Sequence, residues 1–430
     1  MIAVRPPGDK SISHRALLIA GVADGVSTLR HLGDGADVWS TIGVVRTLGA
    51  TVDVVEGPTG IDATVTPSVA PDAVGLLDCG NSGTTARLAL GLLAGLGVGA
   101  RLDGDGSLRG RPMRRVVYPL QAMGARIDHE GEADRLPVTV HPRATGALRT
   151  LRHRPRVASA QVKSAILLAG VLDGVAVEVR EPARSRDHTE RMLAACGAPV
   201  ERREEGEGAV AAFEPGSWSG ALRPLDLEIP GDPSSAAFMI GAALVNGRPI
   251  RIEAVSDNPT RNGVLEVLEE MGAAVSRENE TISGGEPVCT WIVEPPDRLR
   301  SFDLGGTRIA GLIDELPLLA VLAARSVGRS SIRDAAELRV KESDRIAWLA
   351  RNLTRIGVTV TERPDGLDIE GTSARLAGRV ESGGDHRIEM AFGVLAAAPA
   401  SDIEQEGRGC AAVSYPRFWE DLRAVTTWTE

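Results

Sequence analysis

Six segments of the 430-residue chain share one pattern: a polar or charged cluster, an Ala/Leu/Gly-rich run, and a stop at or near Gly or Pro. They read KSISHRALLIAGVADG from residue 10, NSGTTARLALGLLAG from 81, SAQVKSAILLAGVLDG from 159, DPSSAAFMIGAALVNG from 232, IDELPLLAVLAARSVG from 313 and DHRIEMAFGVLAAAPA from 385. Their period of roughly 70 to 80 residues is longer than that of the common solenoid repeats. A second helical pattern follows in every unit: DVWSTIGVVRTLGATV, MRRVVYPLQAMGARI, DHTERMLAACGAPV, NGVLEVLEEMGAAV, SDRIAWLARNLTRIGVTV and YPRFWEDLRAV. Five of these stop at Gly and pass into a short β-branched run, as a glycine C-cap before a strand requires. Stretches such as TLRHL, TVDVVEG and IDATVTP fill the gaps, so one unit reads β-α-β-α-β-β.

A helix that is apolar nearly all round must be buried, with its amphipathic partner and the sheets outside it. Three such helices can fill one core. The economical expectation is an α/β protein of two domains with three units each, broken near LEIPGDPSS, where Pro230, Gly231 and Pro233 interrupt the pattern. That places residues 9–228 in the first domain, and residues 1–8 with 229–430 in the second. If the domains meet at the polar helix starts, six helix N-termini point into one cleft, and their dipoles and free N–H groups favour anions.

Lys10, Arg15, Arg87, Arg111, Lys163, Arg186, Arg339, Lys341, Arg345 and Arg387 all fall at or near those starts. Taken singly, each is more simply a solvated charge, and each Ser or Asp an N-cap. Recurrence carries the argument, because cations at helix N-termini work against the dipole and bound anions offset that cost.

Composition narrows the partners. With 43% hydrophobic and 25% charged residues the chain has the make-up of a soluble protein, and 3% aromatics with 49 glycines imply cores of Ala, Val, Leu and Ile. The net charge of −10 disfavours nucleic acid or an anionic membrane as partner. Cys79, Cys196, Cys289 and Cys410 lack C-x-x-C spacing, which disfavours zinc and fits free thiols in a reducing compartment. The longest apolar run is broken by Asp173 and Gly174, too short to cross a bilayer. With a charged motif within the first ten residues, a cytoplasmic protein is expected. PPGDKS lacks the glycines that a phosphate loop needs where Val4 and Asp9 stand, and GDGSLRG has Arg109 at the third glycine of a dinucleotide fingerprint, which excludes ATP and NAD sites of those types. Nothing matches a nucleophile elbow.

Taken together and in order, PGDKSISHRALLIA, CGNSGTTARL, LRGRPMRRV, SAQVKSAILLAG, LRVKESDRI and GGDHRIEMAF resemble the 5-enolpyruvylshikimate-3-phosphate synthase family. The resemblance spans nearly the whole chain, and SAQVKSA with RDHTE looks like the class II bacterial branch. It implies the enolpyruvyl transferase fold, two inside-out α/β domains with the active site in the cleft between them. The implied reaction moves enolpyruvyl from phosphoenolpyruvate to the 5-hydroxyl of shikimate 3-phosphate and releases phosphate. By that resemblance Lys10, Ser11, Arg15, Ser159, Ala160, Gln161, Arg186, Asp314 and Lys341 hold shikimate 3-phosphate. Lys10, Asn81, Ser82, Gly83, Arg111, Gln161, Arg345 and Arg387 surround phosphoenolpyruvate. Two phosphoryl groups and two carboxylates account for the cations, since guanidinium forks suit both.

Proton transfer at carbon and at the attacking hydroxyl suits a carboxylate and an ammonium. Asp314 is the candidate base for the 5-hydroxyl, and Glu342 the candidate for exchange at carbon, assisted by Lys10 or Lys341. The simpler readings are a helix cap for Asp314 and an i,i+3 pair of Glu342 with Arg345. Neither metal nor organic cofactor is required, no nucleic acid or membrane partner is implied, and a monomer is the family default. Gly83 keeps the small residue that in the family accompanies glyphosate sensitivity, so inhibition by glyphosate is expected.

Three positions depart from the family pattern. Glu389 stands where a small residue is usual, close enough in sequence to repel phosphoenolpyruvate or to pair with Arg387. Val413 occupies the position of a lysine that contacts phosphoenolpyruvate in class I members. APASDIEQEGRG is polar and irregular where the family has a strand. Two alternatives stay open at this point. One is a UDP-N-acetylglucosamine enolpyruvyl transferase, disfavoured because DGSLRGRPMRR carries no cysteine. The other is a repurposed relative that binds a phosphorylated acid without transferring enolpyruvyl.

Overall fold

The computed structural model describes residues 1–68 and 72–426 of an α/β chain that divides into two compact units. The N-terminal unit comprises Gly8–Ile229 with Ile282–Glu286, and the C-terminal unit comprises Met1–Pro7, Pro230–Thr281 and Pro287–Glu430.

In the N-terminal unit the helices Lys10–Ala20, Gly83–Leu96 and Ala160–Asp173 are buried on nearly every face. They pack closely because their contacts are small: a Cβ on Gly95 would stand 2.8 Å from Leu172 Cβ. The partner helices Ala36–Thr47, Arg114–Met123 and His188–Ala195 bury one side each. Three four-stranded sheets complete the unit. In one of them Ala73–Asp78 runs parallel to Gly99–Asp103 with Leu77 opposite Leu102, and Val138–Val140 and Ile127–His129 add an antiparallel hairpin. A parallel pair needs a crossover, and the buried helix Gly83–Leu96 is that crossover.

The C-terminal unit repeats the plan around the helices Pro233–Val245, Leu316–Ala323 and His386–Ala396. A Cβ on Gly241 would lie 2.7 Å from Leu318 Cδ1, so glycine again sets the helix approach. The amphipathic helix Arg345–Arg355 buries Ile346, Leu349, Ala350 and Leu353, the 3.6-residue stripe visible in its sequence.

Two strands complete sheets far from them in sequence. Ile2–Val4 pairs in parallel with Ile250–Ser256, placing Ile2 opposite Ile250, and Asp226–Glu228 pairs in parallel with Ser27–Leu32, placing Asp226 opposite Thr28. The structure departs from the simple reading in two further places. The turn 282–286 groups with residues 8–229 and not with its flanking strands, because Ser283 Oγ donates to the Glu228 carbonyl at 2.7 Å and Arg191 Nη1 to the Gly285 carbonyl at 3.1 Å. The segment read as irregular forms a strand, Ser401–Glu406, parallel to Leu376–Glu381 over six residue pairs. Ile403 and Gln405 face inward, while Asp402 and Glu404 meet Arg375 and Arg379 at 2.8 Å on the exposed face. Charge pairing across the strands replaces the apolar alternation that marks most strands. Among the described residues the sixth module ends in a two-stranded sheet and the helix Phe418–Val425, where the other five have four-stranded sheets.

Candidate active site

Two of the N-terminal unit's buried helices open on side-chain caps: Asp9 accepts from the Ile12 N–H at 2.9 Å, and Ser82 accepts from the Thr85 N–H at 3.1 Å. The third, Ala160–Asp173, begins at Ser159 with no side-chain cap. Its first-turn N–H groups and the Ser159 hydroxyl have no hydrogen-bond partner among the described residues, the arrangement that receives an anion. Arg186 Nη1 donates to Ser11 Oγ at 3.3 Å, and Lys10 Nζ lies 3.0 Å from Asp37 Oδ2, so Lys10, Ser11 and Arg186 are held together at the first helix start. Arg15 stands behind them, 3% exposed. It donates to the Ser11 carbonyl at 2.8 Å, to Thr189 at 2.7 Å and to Ser164 at 2.9 Å. Burial pulls its guanidinium down to about 10.

A second group gathers where the Gly83–Leu96 helix begins. Arg111 Nη2 donates to Asn81 Oδ1 at 2.8 Å, and a Cβ on Gly83 would stand 3.1 Å from Arg87 Nη1 and 3.3 Å from Arg111 Nη1. Two guanidiniums therefore converge over a helix N-terminus that carries no side chain between them. Gln161 links this group to the uncapped helix: it accepts from Arg87 at 2.5 Å and donates to Thr84 at 2.9 Å.

In the C-terminal unit Asp314, Lys341, Glu342, Arg345 and Arg387 come together through Asp385. This buried carboxylate caps its helix by accepting the Arg387 N–H at 2.9 Å, and it accepts from Arg345 Nε at 2.8 Å. Arg345 Nη2 donates to Glu342 at 2.7 Å, while Arg345 Nη1 makes no hydrogen bond and lies 3.7 Å from Asp314 Oδ1. Burial alone would depress the Arg345 guanidinium, but Asp385 and Glu342 outweigh it and hold it above the ordinary arginine range. Lys341 is shifted the other way: burial holds its ammonium below the ordinary lysine range, against the opposing pull of Asp314. The Arg387 guanidinium is 6% exposed, lies over the Phe238 ring at 5.8 Å, and has no carboxylate or hydrogen-bond partner among the described residues.

Several positions differ from the sequence reading. Lys163 is not a surface cation facing an anion: it is buried between Glu181 and Glu190, each at 2.8 Å. Arg339 is tied to Asp344 at 2.8 Å and Glu362 at 2.9 Å. Glu389 neither pairs with Arg387 nor faces its guanidinium as a bare charge. It accepts from the Gly409 and Ala411 N–H groups at 2.9 and 3.0 Å, from the Trp419 indole at 3.0 Å and from the Cys410 thiol at 2.6 Å. Burial and that bond to Glu389 push the Cys410 thiol up to about 12. Val413 lies in the short 3₁₀ turn Cys410–Val413 that Glu389 anchors. Asp385 is legible in the sequence as a helix cap, but its role as counter-ion to Arg345 has no sequence signal across 40 residues. Asp187, His188 and Glu286 bring metal-type ligand atoms within 4.8 Å of one another, but Arg191 donates to Asp187 at 2.8 Å and His188 meets Glu286 at 2.8 Å, which makes an ion-pair network.

An α/β protein of repeated modules that gathers buried cations and carboxylates at helix starts in both of its units is built to handle small anionic substrates. Comparison with known proteins identifies the kind. A family model described as EPSP synthase (3-phosphoshikimate 1-carboxyvinyltransferase) matches residues 2–422. A 3-phosphoshikimate 1-carboxyvinyltransferase of Gloeobacter violaceus is 46% identical over 420 residues, covering 97% of this chain and 95% of the relative. One from Synechococcus sp. is 44% identical over 432 residues, covering 98% and 95%. The solved structure of EPSP synthase from Acinetobacter baumannii superposes with a TM-score of 0.83 at 37% identity, covering 99% of this chain and 95% of that one. The chain belongs to the EPSP synthase family and has its two-domain enolpyruvyl transferase fold. Its activity is enolpyruvyl transfer in the shikimate pathway, which leads to aromatic amino acids, and the family's substrates are shikimate 3-phosphate and phosphoenolpyruvate. No helix among the described residues is long and apolar enough to cross a membrane.

Proposed function

We propose that the chain transfers enolpyruvyl from phosphoenolpyruvate to the 5-hydroxyl of shikimate 3-phosphate. The observation that carries the residue assignment is the set of cations left without hydrogen-bonding partners. Arg387 and the Nη1 of Arg345 are buried and unbonded, and Lys341 makes neither a hydrogen bond nor an ion pair among the described residues. A buried guanidinium without a partner is costly, and a bound carboxylate or phosphate removes that cost.

In this reading the Ser159 hydroxyl, the N–H groups of Ala160 and Gln161, and Lys10, Ser11 and Arg186 hold the acceptor, with Arg15 adding charge from behind Ser11. Asn81, Ser82, Gly83, Arg111, Arg345 and Arg387 are the residues assigned to phosphoenolpyruvate. Asp314 accepts the proton of the 5-hydroxyl as its oxygen attacks C2, and the methylene carbon takes a proton to become methyl. Glu342, assisted by Lys341 or Lys10, is the group that exchanges this proton. Elimination then removes a methyl proton and breaks the C–O bond to phosphate, which restores the enol ether. No cofactor enters the scheme.

Both roles are open to experiment. Asp314→Ala and Glu342→Ala are each expected to lower kcat by about 100-fold or more. With shikimate 3-phosphate present, both variants should also lose exchange of the phosphoenolpyruvate methylene hydrogens with deuterated solvent, because that exchange passes through the addition step in which both groups act. Wild-type turnover in both variants would remove the assignment.

A further inference from the structure

The N-terminal unit holds a buried ionic triad that the reaction scheme leaves unused. Lys163 lies 2.8 Å from Glu181 and 2.8 Å from Glu190, with side chains 2%, 1% and 2% exposed. Burial alone would depress the Lys163 ammonium, but Glu190 and Glu181 outweigh it and raise it above the ordinary lysine range. Stability alone does not explain such a group, since well-packed apolar side chains in place of a buried ionic triad are often as stable or more so.

The two oxygens of Glu181 reveal what the triad holds. Oε1 accepts the backbone N–H of Ser159 at 2.7 Å, and Oε2 accepts the Ser185 hydroxyl at 2.7 Å as well as Lys163. Ser159 opens the uncapped helix, and Ser185 immediately precedes Arg186. One carboxylate thus fastens two separate segments of the acceptor group. Arg15 fastens the third: it bonds the Ser11 carbonyl, and it bonds Ser164 and Thr189, which are joined to each other at 2.6 Å. Those two residues are the chain neighbours of Lys163 and Glu190.

We propose that Glu181, held by Lys163, is a positioning residue for the phosphate end of the acceptor subsite. It sets the separation between the free N–H groups at the start of the Ala160–Asp173 helix and the Arg186 guanidinium, and it touches no substrate itself. The inference rests on the assignment of Ser159, Ala160, Gln161 and Arg186 to shikimate 3-phosphate.

Glu181→Gln keeps a carbonyl for the Ser159 N–H but turns an amide N–H toward Lys163 and Ser185. Steady-state phosphate release is expected to show KM for shikimate 3-phosphate raised about tenfold or more, with kcat and KM for phosphoenolpyruvate changed less than about threefold. Ser185→Ala, which leaves the buried charges in place, keeps the test decisive should Glu181→Gln fold poorly; a rise of about threefold or more is expected there. Lys163→Met should reproduce the split and Lys163→Arg should recover part of it. Unchanged KM for shikimate 3-phosphate in folded variants, or an equal rise in both KM values, overturns the proposal. The thermal shift that shikimate 3-phosphate gives the wild-type protein separates the two failures. If it is absent, the acceptor assignment falls and takes this inference with it; if it is present and equally large in the variants, only the positioning role falls.

Discussion

Arg345 Nε donates to Asp385 Oδ2 at 2.8 Å in a pair that is 1% and 0% exposed, and the same carboxylate caps the helix that carries Arg387. One buried anion therefore holds the Arg345 guanidinium directly and anchors the start of the helix that carries Arg387, the two arginines proposed to bind phosphoenolpyruvate. Burial would raise its pKa, but Arg345 outweighs burial and holds Asp385 below the usual carboxylate range. Removing it deprives the buried Arg345 guanidinium of its fully buried partner and leaves a helix uncapped. Asp385→Ala is expected to lose about 3–5 kcal/mol in urea unfolding. A loss below about 1 kcal/mol would show that the guanidinium finds another partner.

His14 gives the fold a pH dependence of its own. Its ring is fully buried, with Nδ1 2.6 Å from Thr41 Oγ1, and burial drives its pKa down to about 3. The unfolded chain binds this proton near pH 6.5, so the contribution to stability is complete above 6.5 and is lost as pH falls toward 3. Between pH 7 and pH 5 that is a loss of about 2 kcal/mol for the wild type. His14→Asn should remove most of this slope in paired unfolding curves at the two pH values. An unchanged slope would mean that the ring titrates normally.

A methyl group on Gly83 would stand 3.1 Å from Arg87 Nη1 and 3.3 Å from Arg111 Nη1. Gly83→Ala pushes the tips of both guanidiniums aside and should raise KM for phosphoenolpyruvate about tenfold, with KM for shikimate 3-phosphate changed less than about threefold. The wild-type enzyme is expected to be inhibited by millimolar glyphosate and the variant to resist it. Turnover of the wild type unaffected by glyphosate would contradict this prediction.

Glu389 acts on the 409–411 segment and on Trp419, where its carboxylate accepts four donors. Glu389→Ala strands two backbone N–H groups and an indole N–H, and it should destabilise the protein by about 2–4 kcal/mol. Its effect on KM for phosphoenolpyruvate should stay within about threefold. A stable variant that binds phosphoenolpyruvate much more tightly would restore the view of Glu389 as a repelling charge.

The buried helices can be read from the chain because burial on nearly all faces leaves a plain signature: a polar start, as at Asp9, Ser82 or Asp232, followed by a run of Ala, Leu, Ile and Gly. Pairings across long sequence separations could not. Lys163 reads as one more cation at a helix start, and nothing local announces that Glu181 and Glu190 close on it from 18 and 27 residues away. The strand Ser401–Glu406 is not legible for a related reason, since it is held by pairing with Leu376–Glu381, its outer face carries Asp402 and Glu404 beside Arg375 and Arg379, and only Ile403 marks its apolar face. Glu389 looked like an intruder beside Arg387 because a linear sequence does not show that the chain turns back at 409–411 to receive it. Motif resemblance marks the catalytic candidates, whereas the pairing of Asp385 with Arg345 and of Glu181 with Lys163 shows only in the geometry.

Phosphate release by the purified wild-type protein, with phosphoenolpyruvate and shikimate 3-phosphate together and with each omitted in turn, tests the central claim most directly. Release that requires both substrates is the predicted result. Release from phosphoenolpyruvate alone, or no release while shikimate 3-phosphate still raises the melting temperature, would contradict it.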